Sequence, residues 1–131
     1  MNRMKVIAAA ALLLMILSAC GSLAKQSASY VQISQQEAAE MMQEEPDYIL
    51  LDVRTYEEYQ QEHIPGAICI PNETIAKTQP EELPLLDQKI LVYCRSGNRS
   101  KQAAQKLADM GYTNVFEFGG IISWTGETVS G

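Results

Sequence analysis

The chain has 131 residues, 10 of them basic and 16 acidic, for a formal net charge of −6. That length is ample for one compact domain and short for two, and its three cysteines lack the paired spacing of a zinc site. Residues 1 to 19 carry Arg3 and Lys5, then 12 consecutive apolar residues from Val6 to Leu17, then Leu17-Ser18-Ala19-Cys20. Such a run falls well below the roughly 20 residues that cross a bilayer as a helix, and it reads as a secretory signal. Its removal, with Arg3 and Lys5, takes the 10 basic residues to 8 against the same 16 acidic ones. This balance argues against nucleic acid or anionic lipid as a partner of the domain itself. Residues 20 to 29 lack any apolar period and are expected to form a flexible tether.

From residue 30 to residue 131, strand and helix patterns alternate, as a mainly parallel sheet covered by helices on both faces requires. Val31 to Ile33 predicts a short strand, and Ser34-Gln35-Gln36-Glu37 a capping box opening a helix to about Gln43. Tyr48 to Leu51 is continuously apolar, which suits a buried parallel strand. Asp52 and Arg54 follow it, and Thr55 with Glu58 starts a short helix. Ala67 to Ile70 and Lys89 to Tyr93 predict the third and fourth strands. Ser100 to Met110 predicts a helix with Ala103, Ala104, Leu107 and Met110 on one face, closed by Gly111. Val115 to Phe118 is the fifth strand, with Gly119-Gly120 turning into a last helical segment around Ile121 to Trp124. In an open parallel sheet the ligand sits beyond the carboxyl ends of the strands, and Cys94 and Asp52 both fall there.

The loop Cys94-Arg95-Ser96-Gly97-Asn98-Arg99, running into Ser100, carries the chemistry. A tight turn of small and polar residues between strand and helix directs backbone N–H groups toward its own centre, and the helix start adds more. Arg95 and Arg99 add positive charge, and all three effects favour a thiolate at Cys94. The alternative, an inert cysteine ending a core strand, does not call for two arginines within five residues. No metal or organic cofactor is needed for such a nucleophile.

The chain from about Tyr30 to Trp124 resembles the rhodanese domain, a sulfurtransferase family. The resemblance rests on the six-residue Cys94 to Arg99 loop, on Leu51-Asp52-Val53-Arg54 followed by Glu57, Tyr59, His63-Ile64-Pro65-Gly66-Ala67 and Ile70-Pro71, and on Gly119-Gly120 with Trp124. It implies that Cys94 is the sulfur-carrying nucleophile, that Arg95, Ser96, Gly97, Asn98, Arg99 and Ser100 bind a small anionic sulfur donor, and that Asp52 and Arg54 support the site. A loop-ordering ion pair is the other reading of Asp52 and Arg54. A thiol would be the acceptor and the domain a monomer. Phosphatase relatives of this fold need cysteine, five residues, then arginine, whereas here that position is Ser100 and the arginine comes one place early. The same loop length disfavours an arsenate reductase, and a persulfide relay or binding module that serves a membrane partner without turnover is a further alternative.

The Leu17 to Cys20 segment resembles the bacterial lipobox, which implies a lipid anchor on Cys20 and an extracytoplasmic, membrane-attached protein; a soluble secreted product is the other outcome. His63, the one histidine, is expected to lock a turn, and Trp124 to pack. Cys69 departs from the family pattern, in which asparagine is frequent, and is expected to be a small buried hydrophobe on a strand not adjacent to that of Cys94. A resolving thiol is the alternative role for it.

Overall fold

The computed structural model describes residues 28–131, so the expected signal, Cys20 and most of the tether lie outside the described residues. The elements are β1 (Val31–Gln32), α1 (Gln35–Glu44), β2 (Ile49–Asp52), α2 (Tyr56–Gln61), β3 (Ile68–Cys69), β4 (Ile90–Cys94), α3 (Asn98–Asp109) and β5 (Val115–Gly120). Single 3₁₀ turns cover Asn72–Thr74 and Ile121–Ser123. The strands form one sheet in the order β1-β5-β4-β2-β3, and every neighbouring pair is parallel.

The sheet is central because β4 is apolar on both faces. Ile90, Val92 and Cys94 pack into one layer with Ala103, Ala104 and Leu107 of α3, while Leu91 and Tyr93 pack into the other with Ala38 of α1 and Phe118. All five β4 residues are buried, and burying each large apolar side chain stabilises the fold by about 1.5–3 kcal/mol. The period-two alternation therefore decides that the Cys94 side chain faces the α3 layer.

Local signals set the element ends. The Ser34 hydroxyl accepts the Glu37 N–H at 3.0 Å at the start of α1. Thr55 and Glu58 form the full reciprocal capping box of α2. Gly111, at φ 104°, follows the end of α3 in the left-handed conformation that glycine adopts without steric cost.

Several boundaries differ from the sequence reading, and four of them shape the site. Cys94 is the last residue of β4 and not the first beyond it. Asp52 is the last residue of β2 and not the first beyond it, because its backbone continues the ladder to Tyr93 of β4 and Cys69 of β3. Helix α3 starts at Asn98, two residues before Ser100, because Gly97 at φ 107° can turn the chain directly into the first helical residue. The glycine pair belongs to β5, where a register irregularity sets Val92 against Glu117 but Cys94 against Gly120. One extra β5 residue is accommodated there, a bulge beside the site, with Gly119 at φ 93°.

Candidate functional site

Cys94 closes β4 with 1% of its surface exposed, at the carboxyl edge of the sheet. The Gly97 N–H donates to Cys94 Sγ at 3.0 Å. This is an anion-stabilising contact from the residue just ahead of the helix. The other amides from Arg95 to Ser100 make no hydrogen bond to Sγ itself among the described residues. Ser100, in the first turn of α3, brings its Oγ to 3.3 Å from Sγ and is itself fully buried.

Gly120 explains how the loop can lie so close to the sheet. A Cβ there would collide with the Arg95 carbonyl and the Ser96 nitrogen, so only glycine lets β5 pass under the loop. The Arg95 carbonyl in turn accepts the Ile122 N–H at 3.2 Å, which ties the loop to the turn after β5.

The five charged groups around this edge behave differently. Arg54 and Asp52 are 5% and 0% exposed and form a multiply bonded pair, with Arg54 Nε and Nη2 donating to Asp52 at 3.0 and 2.7 Å. Arg54 Nη2 also donates to the Glu62 carbonyl. Burial opposes the Arg54 charge, but the Asp52 carboxylate outweighs it and holds the guanidinium above its ordinary value. Arg99 reaches across to α2 and donates to both oxygens of Glu58 at 2.6 and 3.0 Å. That hydrogen bonding, against some burial, pulls the Glu58 carboxyl down to about 2. The expected service of Arg99 to the loop charge is therefore shared with Glu58, whose negative charge partly cancels it. Arg95 is exposed and makes no side-chain hydrogen bond among the described residues. A cleft of about 450 Å³ opens between these elements, walled by Arg54, Glu58, Glu62, Arg95, Ile121 and Ile122. Cys94 is not itself among the residues that line it, whereas its neighbour Arg95 is. Ser96 and Asn98 are exposed on the loop.

Cys69 sits on β3, separated from β4 by β2, and its thiol approaches the Arg54 carbonyl at 3.5 Å. Burial, with the Asp52 charge added, pushes that thiol up to about 11. A separation of two strands, about 9.5 Å, exceeds what a disulfide bridges, so Cys69 and Cys94 cannot pair in this fold. His63 stacks on Tyr59 at 3.8 Å, its Nδ1 lies 2.8 Å from the Tyr59 carbonyl, and its backbone bridges Val129. These contacts fix the corner after α2 and direct no imidazole nitrogen at sulfur. Trp124 packs against Phe118 at 5.8 Å.

Glu117 is the residue that the sequence reading missed. It is 0% exposed, its Oε1 accepts from Ser100 Oγ and from the Gly119 N–H, each at 2.7 Å, and its Oε2 has no partner. A charged residue in the middle of an otherwise apolar strand was the available signal.

The family model for the rhodanese-like domain matches residues 34–127. The chain belongs to the rhodanese-like family. Its rhodanese domain is 42% identical over 71 residues to the thiosulfate sulfurtransferase PspE of Escherichia coli, covering 54% of this chain and 68% of that protein. It is 36% identical over 94 residues to a sulfurtransferase of Allochromatium vinosum, covering 71% and 86%. The solved structure described as "rhodanese with anions from E. coli" superposes with a TM-score of 0.59 at 38% identity, over 64% of this chain and 99% of that one. The chain spans only 21% and 24% of the longer adenylyltransferase and sulfurtransferase UBA4 proteins of Meyerozyma guilliermondii and Candida albicans. These relatives and the shared five-stranded α/β fold make the rhodanese domain a sulfurtransferase.

Proposed function

We propose that this rhodanese moves sulfane sulfur from thiosulfate, or a similar small anion, to a thiol through a Cys94 persulfide. The observation that carries this reading is the Gly97 N–H on Cys94 Sγ at the mouth of a six-residue loop, at the carboxyl edge of the central strand. The Cys94 thiolate attacks the outer sulfur of thiosulfate. The bond from that sulfur to the sulfonate breaks, its electron pair leaves with sulfite, and the enzyme holds Cys94–S–S⁻. An acceptor thiolate, or cyanide in the assay, takes the outer sulfur, and the persulfide bond returns its electrons to Sγ.

Arg95 is the cation for the incoming donor, because Arg54 and Arg99 are held by Asp52 and Glu58. Ser96 and Asn98 line the loop through which the donor enters, and Ser100 steadies the sulfur from below. The loop is one residue too short to present an arginine as a phosphate-binding loop does, which favours sulfur over phosphoryl transfer. The thiol and the small anion are the partners of the domain, which acts as a monomer. A lipid on Cys20 would hold it at an extracytoplasmic membrane face, and two or more acyl chains are needed for firm attachment. Incorporation of labelled palmitate that disappears in Cys20→Ser tests that part.

The activity is tested with reduced protein and thiosulfate, following intact mass and released sulfite together. One added sulfur mapped to Cys94, with an equal amount of sulfite, is the expected outcome. No adduct and no sulfite from protein whose Cys94 alkylates readily would reject thiosulfate as the donor, and hydrolysis of an aryl phosphate would reject sulfur transfer.

A further inference from the structure

Glu117, Ser100 and Cys94 form a continuous buried chain. Cys94 Sγ lies 3.3 Å from Ser100 Oγ, and Ser100 Oγ lies 2.7 Å from Glu117 Oε1. A serine hydroxyl has one proton to give and can accept at the same time. With Glu117 ionised, Ser100 donates to the carboxylate and accepts from the Cys94 thiol. With Cys94 ionised, Ser100 donates to the charged sulfur in preference to the neutral Gly97 carbonyl 3.0 Å away, and accepts from Glu117, which then carries the proton. The two arrangements have the same total charge and differ only in where one proton sits.

Neither arrangement is free of cost. A carboxylate that is fully buried, with Oε2 unpartnered, is expensive as an anion. Each site offers the charge one backbone N–H, Gly97 at Sγ and Gly119 at Oε1, but only the carboxylate also buries an oxygen, Oε2, without a partner. Few other ionisable groups compete for the proton. Tyr93 of β4 packs in the opposite layer, and β1 carries none, although Tyr30 just before it and Tyr112, whose hydroxyl donates to the Leu83 carbonyl, pack on the same layer as Cys94. On α3, Arg99 is engaged by Glu58, Lys106 by Asn72 and Asp109 by Gln105, and Lys101 is exposed.

We propose that Glu117 takes the Cys94 proton through Ser100 as the thiolate forms, and returns it to Sγ as the sulfur leaves. In the first step the S–H bond breaks and its electron pair stays on Sγ. The proton passes to Ser100 Oγ while the serine proton passes to Glu117 Oε1. The thiolate then attacks the donor, and the persulfide carries the negative charge while Glu117 stays neutral. When the acceptor removes the outer sulfur, Sγ regains its electron pair and the same two protons shift back. Glu117 touches no reacting atom and acts as a positioning residue for the proton. The inference rests on Cys94 being the reactive sulfur.

The test is the pH dependence of Cys94 alkylation by iodoacetamide in the full chain, read by peptide mapping so that Cys20 and Cys69 do not contribute. Two groups sharing a proton lose their protons in two steps that belong to the pair, so the wild-type rate rises, reaches a plateau, and rises again. Glu117→Gln converts this to a single step that climbs about tenfold per pH unit through the range where the wild type is flat. Should that variant fail to fold, Glu117→Leu, an apolar replacement of similar size, has the same expected profile. A single step in the wild type overturns the proposal, and so does a two-step profile that survives in either variant. Alkylation needs no sulfur donor. Failure of sulfur loading on a Cys94 with the two-step profile would therefore reject the activity and leave the shared proton standing, whereas a one-step profile with normal loading would do the reverse.

Discussion

Two loops at the carboxyl edge of the sheet are neighbours and are built on opposite principles. The β4–α3 loop positions its sulfur with backbone: Gly97 turns the chain, its N–H reaches Sγ, and Gly120 leaves room beneath. The β2–α2 loop positions its arginine with charge, through the buried Asp52–Arg54 pair and the Arg54 bond to the Glu62 carbonyl. The Arg99–Glu58 pair joins the two. The first loop should therefore fail through geometry and the second through uncompensated charge.

The largest effect belongs to the sulfur. Cys94→Ser is expected to lower thiocyanate production from thiosulfate and cyanide by several orders of magnitude, to background, while thermal unfolding barely changes. Near-normal turnover would show that the backbone-built loop is not where sulfur is carried.

The charge-built loop is broken by Arg54→Ala. It leaves the Asp52 carboxylate at 0% exposure without its partner and should cost about 3–5 kcal/mol, measured by urea unfolding. Replacing both residues, as Asp52→Leu with Arg54→Met, should recover most of that loss, because two desolvated charges are removed together. An equal loss in the single and double variants would mean that the loop is held by the Glu62 carbonyl contact instead.

Gly120→Ala breaks the other loop without touching a charge. The added Cβ meets the Arg95 carbonyl, so β5 or the loop must move, at about 1–3 kcal/mol. Activity should fall more than stability does, since the displaced atoms are those that carry the Gly97 N–H to Sγ. A variant that is destabilised yet fully active per folded molecule would show that the loop tolerates the shift.

Much of the backbone-built loop was legible in the sequence, because its determinants are local. A strand, a glycine-containing turn and a helix start lie within a few residues of Cys94, and Thr55 with Glu58 wrote the α2 cap in the same way. What was not legible depends on partners far along the chain. Arg99 meets Glu58 across 41 residues, and Ser100 meets Glu117 across 17. The glycine pair looked like a turn because its sequence says only that a side chain is unwelcome, not that the Arg95 carbonyl lies above Gly120. Glu117 shares the α3-facing side of β5 with Val115, opposite Phe116 and Phe118, so its inward direction could be read from the alternation, but its partner Ser100 on α3 could not. The 3₁₀ turn Asn72–Thr74 is held by its Asn72 bonds to Gln102 and Lys106, which come from α3.

The smallest effect sharpens the join between the loops. The folded Glu58 carboxyl is pulled down to about 2 from an ordinary 4.5, chiefly by its hydrogen bonds to Arg99. A group whose folded value is depressed stabilises the fold above its unfolded value and loses that contribution as pH falls toward the folded one. The Arg99–Glu58 pair should accordingly be fully felt above about pH 5 and vanish between about pH 4.5 and about pH 2. Both side chains are 28% exposed, so solvent and salt screen the pair and its contribution should stay below about 1 kcal/mol. Glu58→Gln is the matching variant, although it also weakens the α2 capping box. Urea midpoints for wild type and variant should approach one another as the pH is lowered through that window, and also as salt is raised at neutral pH. If the gap persists at low pH, the loss comes from the cap and not from the ion pair, and the two loops are joined by helix geometry alone.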